Sequence, residues 1–216
     1  MTTACILFMV RAPRLGLVKT RLARDVGEQA ALALYQAFLA DMLDSLAECG
    51  ADVTLWVTPG QDAQAVHTLF GGKLRAFPQP EGDLGARMDY AFRWAFAQGY
   101  QSAAALGSDL PQLSPKGARD LARLTRSEPC LIGPCPDGGY WTIGFQAYRY
   151  LPEVFANMPW SAPDLLERTM ALLTPLEPAV LPSLADIDTL DDLKRLMETC
   201  PAGLAQRTLA VAGDIA

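Results

Sequence analysis

Apolar side chains follow two patterns along the chain, short unbroken runs and longer segments with helical spacing. The run from Cys5 to Val10 is continuously apolar, which is typical of a strand buried on both faces of a sheet. The segment from Glu28 to Cys49 places apolar residues three and four positions apart and is followed by Gly50, so it predicts an amphipathic helix. We therefore expect the first strand to lie at the centre of a parallel sheet.

The same two patterns alternate through the rest of the chain. Further strands are predicted at 53–57, 74–77 and 103–106, with a short edge strand at 180–181. Helices are predicted at 62–70, from the 79–88 segment to about 97, at 115–124, at 162–173 behind a Ser161 N-cap, and up to about 198. This alternation predicts an α/β fold with a doubly wound, mostly parallel central sheet and helices on both faces.

Length and composition indicate a single domain. A chain of 216 residues with 50% hydrophobic residues can bury one core, and no segment is long and polar enough to act as a linker. We expect one domain over residues 1–216, with its core at about 4–198 and a C-terminal tail at 199–216.

Net charge, cysteine content and hydrophobicity argue against nucleic-acid binding, a structural zinc site and a membrane span. The net charge is -6 and the sequence has no Lys/Arg cluster, which argues against nucleic-acid binding because phosphate backbones need concentrated positive charge. Five scattered cysteines without a CxxC pair argue against structural zinc and suit reduced thiols. Since no segment has the length and hydrophobicity of a membrane span, we expect a soluble, cytoplasmic protein.

A basic loop follows the first predicted strand. It carries Arg11, Arg14, Lys19 and Arg21, and it lies between a strand and a helix, which is the position of phosphate-binding loops in α/β folds. The patterns GxxxxGK[ST] and GxGxxG are both absent, so the loop is neither a P-loop nor a dinucleotide-binding fingerprint. We interpret it as a phosphate-binding loop, and the alternative is a solvated basic loop.

One carboxylate follows the strand at 103–106. Gly107 and Ser108 end the apolar run, Asp109 comes next, and Leu110-Pro111 turns the chain. Ligands of open α/β sheets bind outside the carboxyl ends of the strands, so Asp109 is a candidate for holding a metal ion against a phosphate. The alternative is an aspartate that only caps the turn.

Three other stretches carry candidate chemistry. Gly82, Gly85 and Arg87 precede or begin a helix and suit either close approach of a ligand or an ordinary turn. The stretch 137–140, Asp-Gly-Gly-Tyr, suits either a hairpin turn or a loop whose acid faces the same cleft as Asp109. Four acids lie at 186–192; the last two suffice for helix capping, which leaves Asp186 and Asp188 without that role.

These features favour one kind of chemistry. A single histidine and the absence of GxSxG argue against a Ser-His-Asp hydrolase, and the absence of GxGxxG argues against a nicotinamide dehydrogenase. A basic loop combined with separated acids suits Mg²⁺-assisted transfer at a diphosphate, because the metal and the cations neutralise the leaving group.

Five short motifs occur in order along the chain. They are Lys19-Thr20-Arg21-Leu22, Asp83-Leu84-Gly85-Ala86-Arg87-Met88, Gly107-Ser108-Asp109-Leu110-Pro111, Gly133-Pro134 with Asp137-Gly138-Gly139-Tyr140, and Asp186-Ile187-Asp188-Thr189. Together they resemble the DUF2064 group of GT-A-fold proteins, which are usually labelled glycosyltransferases and are similar to 2-phospho-lactate guanylyltransferase and, more distantly, to the molybdenum-cofactor guanylyltransferases. The resemblance covers about Ile6 to Leu196 and implies a fold like that of the nucleotide-diphospho-sugar transferases.

The resemblance also implies a donor site. The cations Arg11, Lys19 and Arg21 would contact the donor phosphates. The nucleobase would lie near the segment that contains Gly82, Asp83, Gly85 and Arg87.

Metal and acceptor positions follow from the same resemblance. Asp109 would hold Mg²⁺ or Mn²⁺, and because many glycosyltransferases of this fold carry Asp-X-Asp there, Asp188 is chosen as the missing second ligand. The literal Asp186-Ile187-Asp188 lies elsewhere in the chain, so we interpret its likeness to that motif as coincidental. Asp109 and Asp188 would then be neighbours whose like charges repel.

The acceptor side would be formed by the stretch 137–140. Gly138, Gly139 and Tyr140 would line it, and Asp137 is the candidate general base, so that Lys19, Asp109 and Asp137 are the expected catalytic residues.

The expected function is Mg²⁺-dependent transfer from a nucleotide donor to a small-molecule acceptor. Glycosyl transfer from a nucleoside-diphosphate sugar is the first interpretation. The alternatives are guanylyltransferase-like nucleotidyl transfer from a nucleoside triphosphate and a non-catalytic nucleotide-binding module. The nucleobase, the acceptor and the oligomeric state are not specified by these motifs.

Overall fold

A seven-stranded sheet forms the centre of the computed structural model, which describes residues 4–215. The strands are β1 (Ala4–Arg11), β2 (Asp52–Thr58), β3 (Arg75–Pro78), β4 (Ser102–Leu106), β5 (Cys130–Pro134), β6 (Tyr140–Gln146) and β7 (Ala179–Val180). The helices are α1 (Thr20–Val26), α2 (Glu28–Leu46), α3 (Ala63–Leu69), α4 (Leu84–Ala97), α5 (Pro115–Ser127), α6 (Leu165–Leu173), α7 (Leu190–Thr199) and α8 (Gln206–Gly213).

The strand order is β3-β2-β1-β4-β6-β5-β7. Strand β1 pairs in parallel with both β2 and β4, and only β6 runs antiparallel to its neighbours among the described strands. The predicted mostly parallel sheet with β1 inside it is therefore confirmed, and β7 is the predicted edge strand, shifted by one residue.

Alternate residues of β1 enter two separate cores. Ile6 and Phe8 pack in a cluster with buried residues of α2, α5, α7 and α8. Leu7 and Met9 pack on the other face with α4, α6 and the 3-10 turn Pro152–Phe155. Helices thus cover both faces, as the unbroken apolar run of β1 predicts.

Three local predictions differ from the structure. The loop predicted from Arg11 to Leu22 ends early, because the short helix α1 begins at Thr20 and buries only Leu22 from its own seven residues. The helix predicted at 162–173 begins at Leu165, since Pro163 disfavours helical backbone at the preceding residue. Ser161 is consequently not its N-cap and instead has a left-handed backbone with φ of 73°.

The stretch 137–140 connects β5 and β6 as a hairpin turn. The Asp137 carboxylate accepts the backbone N–H of Gly139 at 3.0 Å, and Gly138 has φ of 88°. The stretch is therefore a hairpin turn, and it leads into the antiparallel strand β6.

The segment expected to be a C-terminal tail, 199–216, contains helix α8. Its residues Ala205 and Ala212 join the core beneath α2. The carboxylate of Asp41, on α2, accepts the backbone N–H groups of Arg207 and Thr208 at 3.1 and 2.9 Å and the Thr208 hydroxyl at 2.7 Å. The sequence pattern missed this helix because its N-terminal cap comes from a residue more than 160 positions away.

No helix within residues 4–215 combines the length and the hydrophobicity needed to cross a membrane.

The Asp41 cap can be tested against a neighbouring acid on the same helix. Asp41→Ala is expected to lower the free energy of unfolding by about 2 to 3 kcal/mol, because it leaves buried donors of α8 without an acceptor. Asp44 forms an ion pair with Arg207 but its side chain is 66% exposed, so Asp44→Ala should cost less than about 1 kcal/mol. Urea unfolding of both variants measures the difference, and equal losses would contradict the cap.

Candidate active site

A cleft of about 730 Å³ opens at the carboxyl ends of the parallel strands. Its walls come from the ends of β1, β2 and β4, the residue after β3, the loop before α1, the start of α4, and single residues at 161 and 188. A second cavity of about 640 Å³ lies at the opposite end of β2, between α2 and α3, and contains none of the predicted site residues. The carboxyl-end cleft is therefore the candidate site.

The ammonium of Lys19 binds two carboxylates in this cleft. Its Nζ lies 2.7 Å from Oδ1 of Asp109 and 2.9 Å from Oδ1 of Asp188, and its side chain is only 5% exposed. The three residues come from the loop after β1, the turn after β4 and the segment before α7. The structure thus brings together three residues that are separated by up to 169 positions in the chain.

Strand pairing places these residues side by side. Phe8 of β1 pairs with Leu106 of β4 in parallel register, so the chain leaves both strands at the same edge of the sheet. The backbone N–H of Ile187 donates to the carbonyl of Asp109 at 3.1 Å, which ties the segment before α7 to the end of β4. A capping box between Thr189 and Asp192 then fixes the start of α7.

Lys19 is held in its charged form. Burial lowers the pKa of its ammonium, but the charges of Asp109 and Asp188 outweigh burial and raise the pKa above its ordinary value. Its backbone is left-handed, with φ of 46° and ψ of 45°, a conformation that costs free energy in a residue other than glycine. The predicted repulsion between Asp109 and Asp188 is reduced by the Lys19 ammonium, which contacts both carboxylates.

A buried tyrosine connects the ends of β1 and β4. The hydroxyl of Tyr35, on α2, accepts the backbone N–H of Arg11 at 3.1 Å and lies 3.0 Å from the Ser108 hydroxyl. Burial raises the pKa of Tyr35, so the phenol stays neutral. The helical spacing of segment 28–49 gave no indication of this contact, and the position of Ser108 beside Asp109 is the sequence feature that could have indicated it.

Lys19, Asp109 and Asp188 together are called the Lys19 cluster. Asp186 lies beside this cluster and was not among the predicted site residues. Burial, followed by the charge of Asp109, raises its pKa to about 7. The Cys135 thiol donates a hydrogen bond of 3.5 Å to its Oδ1. The signal in the sequence was that helix capping does not need this residue. The negative charge of Asp137, at the exposed hairpin turn, raises the pKa of Asp186 further, by a smaller amount.

Three predicted phosphate- or base-contacting arginines also line the cleft. Arg11 donates to the carbonyl of Leu17 at 3.3 Å, and Arg21 lies 3.7 Å from Oδ2 of Asp188. Arg87 donates to the Thr58 hydroxyl at 3.3 Å on the opposite wall, and its buried Nε has no partner among residues 4–215. Arginine is thus available on both sides of the Lys19 cluster.

Two of the predicted glycines lie against another segment of the protein instead of the cleft. A Cβ on Gly85 would clash with the carbonyl of Phe155 and the ring of Trp160, and a Cβ on Gly138 would clash with the carbonyl of Pro163. Both glycines permit close packing on segment 155–163, whose Ser161 reaches the cleft.

The remaining predicted residues have local roles. Asp83 caps α4 by accepting the Ala86 N–H at 2.8 Å, next to Gly82, whose φ is 125°. Gly139 donates to Asp137 within the hairpin turn. Tyr140 packs against α6, where burial raises its pKa, and it does not line the cleft.

The donor atoms of the cleft fit a hard divalent cation. Among residues 4–215, no group of three His, Cys, Asp or Glu side chains is arranged to hold a metal ion. However, Asp109 and Asp188 already share one cation, the Lys19 ammonium, through two carboxylate oxygens. Mg²⁺ is commonly held by one or two carboxylates together with substrate phosphates, so the oxygens of Asp109 and Asp188 match this requirement.

Comparison with known proteins gives one family and several structures. Residues 42–162 match DUF2064, a family of uncharacterized proteins conserved in bacteria. A Desulfovibrio desulfuricans protein assigned to the nucleotide-diphospho-sugar transferases is 33% identical, with a TM-score of 0.93 over 99% of this chain and 95% of that one. No protein of curated function matches the chain significantly.

Two more distant structures share the fold alone. A cytidylyltransferase from Leptospira borgpetersenii is 15% identical, with a TM-score of 0.58 over 99% of this chain and 95% of that one. The Mycobacterium tuberculosis protein Rv0371c, solved in complex with manganese, is 18% identical, with a TM-score of 0.51 over 92% of this chain and 100% of that one.

The raised pKa of Asp186 predicts a pH dependence of stability. Because its folded pKa of about 7 exceeds its unfolded value, the folded state retains a proton that the unfolded state has lost, and stability falls as pH rises toward 7. Asp186→Asn removes this pH-dependent loss of stability, because an amide does not titrate in this range. Relative to wild type, the variant should gain about 1 to 2 kcal/mol of unfolding free energy between pH 5 and pH 8 in chelator-treated buffer.

Denaturant titrations at both pH values measure this gain. Asp25→Asn changes an exposed acid of α1 and serves as the control, for which no comparable gain is expected. Parallel pH profiles for wild type and Asp186→Asn would contradict the raised pKa.

Proposed function

The chain belongs to the DUF2064 family, and from this premise we propose that it is a Mg²⁺-dependent transferase that uses a nucleotide donor. The observation that carries the proposal is the Lys19 ammonium held by Asp109 and Asp188 at the carboxyl edge of the sheet. A cation and two carboxylates at that edge suit a site where a phosphate and a metal ion meet.

Glycosyl transfer from a nucleoside-diphosphate sugar is the reaction we propose. The similarity to the Desulfovibrio protein, which is 33% identical over nearly the whole chain, supports a sugar-nucleotide donor. The cleft volume of about 730 Å³ is in the range of pockets that hold ligands of nucleotide size. The acceptor is proposed to be a small molecule.

The basic side of the cleft is proposed to bind the donor phosphates. Lys19, Arg21 and Arg11 lie on or beside the loop before α1, and each can donate charge-assisted hydrogen bonds to phosphate oxygens. These cations would stabilise the negative charge that develops on the leaving diphosphate. Mg²⁺ or Mn²⁺, held by Asp109 and Asp188, would add further neutralisation of that charge.

The nucleobase is proposed to lie on the opposite wall. Arg87 and Thr58 are hydrogen-bonded there. Gly82, Asp83 and Gly85 would act indirectly: Asp83 caps α4, and Gly85 lets this helix pack against segment 155–163, which fixes the direction of Arg87.

Asp137 is proposed to accept the proton of the acceptor. Its carboxylate is exposed at the β5–β6 turn. Its negative charge is close enough to raise the pKa of Asp186, which lies beside the Lys19 cluster. Gly138, Gly139 and Tyr140 would hold this turn against α6 and so shape the acceptor side without contacting the donor.

Nucleotidyl transfer is a second candidate that one observation favours. Strand β4 is followed by the single carboxylate Asp109, whereas Arg11, Lys19 and Arg21, on or beside the loop before α1, bring three cations to the cleft, and this balance suits a triphosphate. The leaving group distinguishes the two reactions. Glycosyl transfer releases a nucleoside diphosphate, and nucleotidyl transfer releases pyrophosphate.

Donor binding is tested by thermal melting with a panel of nucleoside triphosphates and nucleoside-diphosphate sugars, with and without Mg²⁺. At least one donor is expected to raise the melting temperature, and more so with Mg²⁺, because a ligand at 100 times its Kd stabilises the folded state by about 2.7 kcal/mol. Release of a nucleoside diphosphate or of pyrophosphate then identifies the reaction. Flat curves across the panel would contradict both candidates, and binding without either product would indicate a non-catalytic module.

The proposed metal-binding role of Asp109 is tested with the donor that gives the largest rise in melting temperature. Asp109→Asn is expected to abolish the Mg²⁺-dependent part of the thermal shift, since an amide is a much weaker ligand for Mg²⁺ than a carboxylate. The metal-free part should persist, because the cationic loop is unchanged. Asp120→Asn, which alters an acid of α5 that does not line the cleft, is the control. A full Mg²⁺-dependent shift in Asp109→Asn would refute the metal role.

A further inference from the structure

The contact that blocks the candidate metal ligands is made by the protein itself. The Nζ atom of Lys19 lies 2.7 Å from Oδ1 of Asp109 and 2.9 Å from Oδ1 of Asp188. Mg²⁺ binds such oxygens at about 2.0 to 2.1 Å. A divalent cation shared by these two atoms would lie within a few ångströms of the buried ammonium, and the two positive charges would repel each other. The metal and Lys19 therefore compete for the same oxygens.

Displacement of Lys19 needs a new anionic partner. The side chain is 5% exposed, and a buried ammonium without a partner is strongly unfavourable. Arg21 is a cation, lies 3.7 Å from Oδ2 of Asp188 and cannot be that partner. A phosphate in the same cleft can be, since it provides several acceptor oxygens next to the loop that carries Lys19.

The backbone of Lys19 is fixed at the start of α1. Its conformation is left-handed, with φ of 46°, and its carbonyl accepts the backbone N–H of Ala23 at 2.8 Å. The exchange therefore requires movement of the side chain alone, whose flexible four-carbon stem can turn from the carboxylates to a phosphate.

We propose that Lys19 is an exchangeable counterion of the Asp109–Asp188 pair, so that a divalent cation binds tightly only together with the phosphates of the donor. In this exchange the carboxylates replace an ammonium with a metal ion, and Lys19 replaces carboxylates with phosphate, so each buried charge keeps a partner. This inference rests on the proposed function for the phosphate ligand. It predicts that free divalent cations bind the protein weakly and that metal and phosphate bind cooperatively.

The first test measures Mn²⁺ binding alone, by electron paramagnetic resonance of the free ion. Lys19→Met, which keeps the length of the side chain but removes its charge, is expected to bind Mn²⁺ at least about tenfold more tightly than wild type. Lys116→Met removes an exposed lysine that pairs with Asp120 on α5, and it should bind Mn²⁺ as wild type does. The expected gain is specific, because damage to the site would weaken metal binding instead of strengthening it.

The second test uses inorganic pyrophosphate, which carries the phosphates of a donor without a nucleobase. Calorimetric titration of wild type is expected to show at least about tenfold tighter pyrophosphate binding with Mg²⁺ than without it. Lys19→Met should bind pyrophosphate more weakly and show a smaller effect of Mg²⁺. The opposite signs of the two changes, tighter Mn²⁺ and weaker pyrophosphate, are not expected from a merely structural role.

The outcomes separate this inference from the proposed function. An unchanged or weaker Mn²⁺ affinity in Lys19→Met overturns the inference even if nucleotides bind. A gain in Mn²⁺ affinity without pyrophosphate binding by any form supports the counterion role and contradicts the proposed function. If Lys19→Met does not fold, the wild-type titration decides, because pyrophosphate binding that is independent of Mg²⁺ overturns the inference.

Discussion

The double burial of β1 is the constraint on which the site depends. This strand is apolar at every position from Cys5 to Val10, so both of its faces must be covered, and parallel strands flank it on both sides. Its carboxyl end therefore lies at the middle of the sheet edge, between those of β2 and β4. The loop that follows lies at this edge, where it brings Lys19 to Asp109.

The electrostatics of the cleft follow from the contact of Lys19 with Asp109 and Asp188 at this edge of the sheet. Lys19 balances Asp109 and Asp188 only in part, because one positive charge lies between two negative ones and Arg21 contributes from an exposed position. Asp186 is affected by the remaining negative charge in addition to its burial, and its pKa rises accordingly. The cluster thus has an excess of negative charge, which suits a site that accepts a divalent cation.

The glycine motifs act through packing. Gly85 begins α4 and Gly138 lies in the β5–β6 turn, yet both make room for segment 155–163. Their spacing in the chain resembled ligand-contacting motifs because a glycine that admits a ligand and one that admits a backbone carbonyl look the same in a sequence. The motif remains important for the site, since segment 155–163 contributes Ser161 to the cleft wall.

Hydrophobic periodicity determined the α/β class, the central place of β1 and the long helix α2, and the position of Asp109 just after an apolar run made it a candidate. All of these depend on patterns within a few residues. The tertiary structure decided what depends on distant partners. Helix α8 is capped by Asp41 of α2, Tyr35 reaches the cleft from a core helix, and Asp186 receives its raised pKa from burial and from Asp109. The bond of Lys19 with Asp188 joins residues 169 positions apart, and local sequence patterns carry no information about such a pair until the strands have set the ends of both loops side by side.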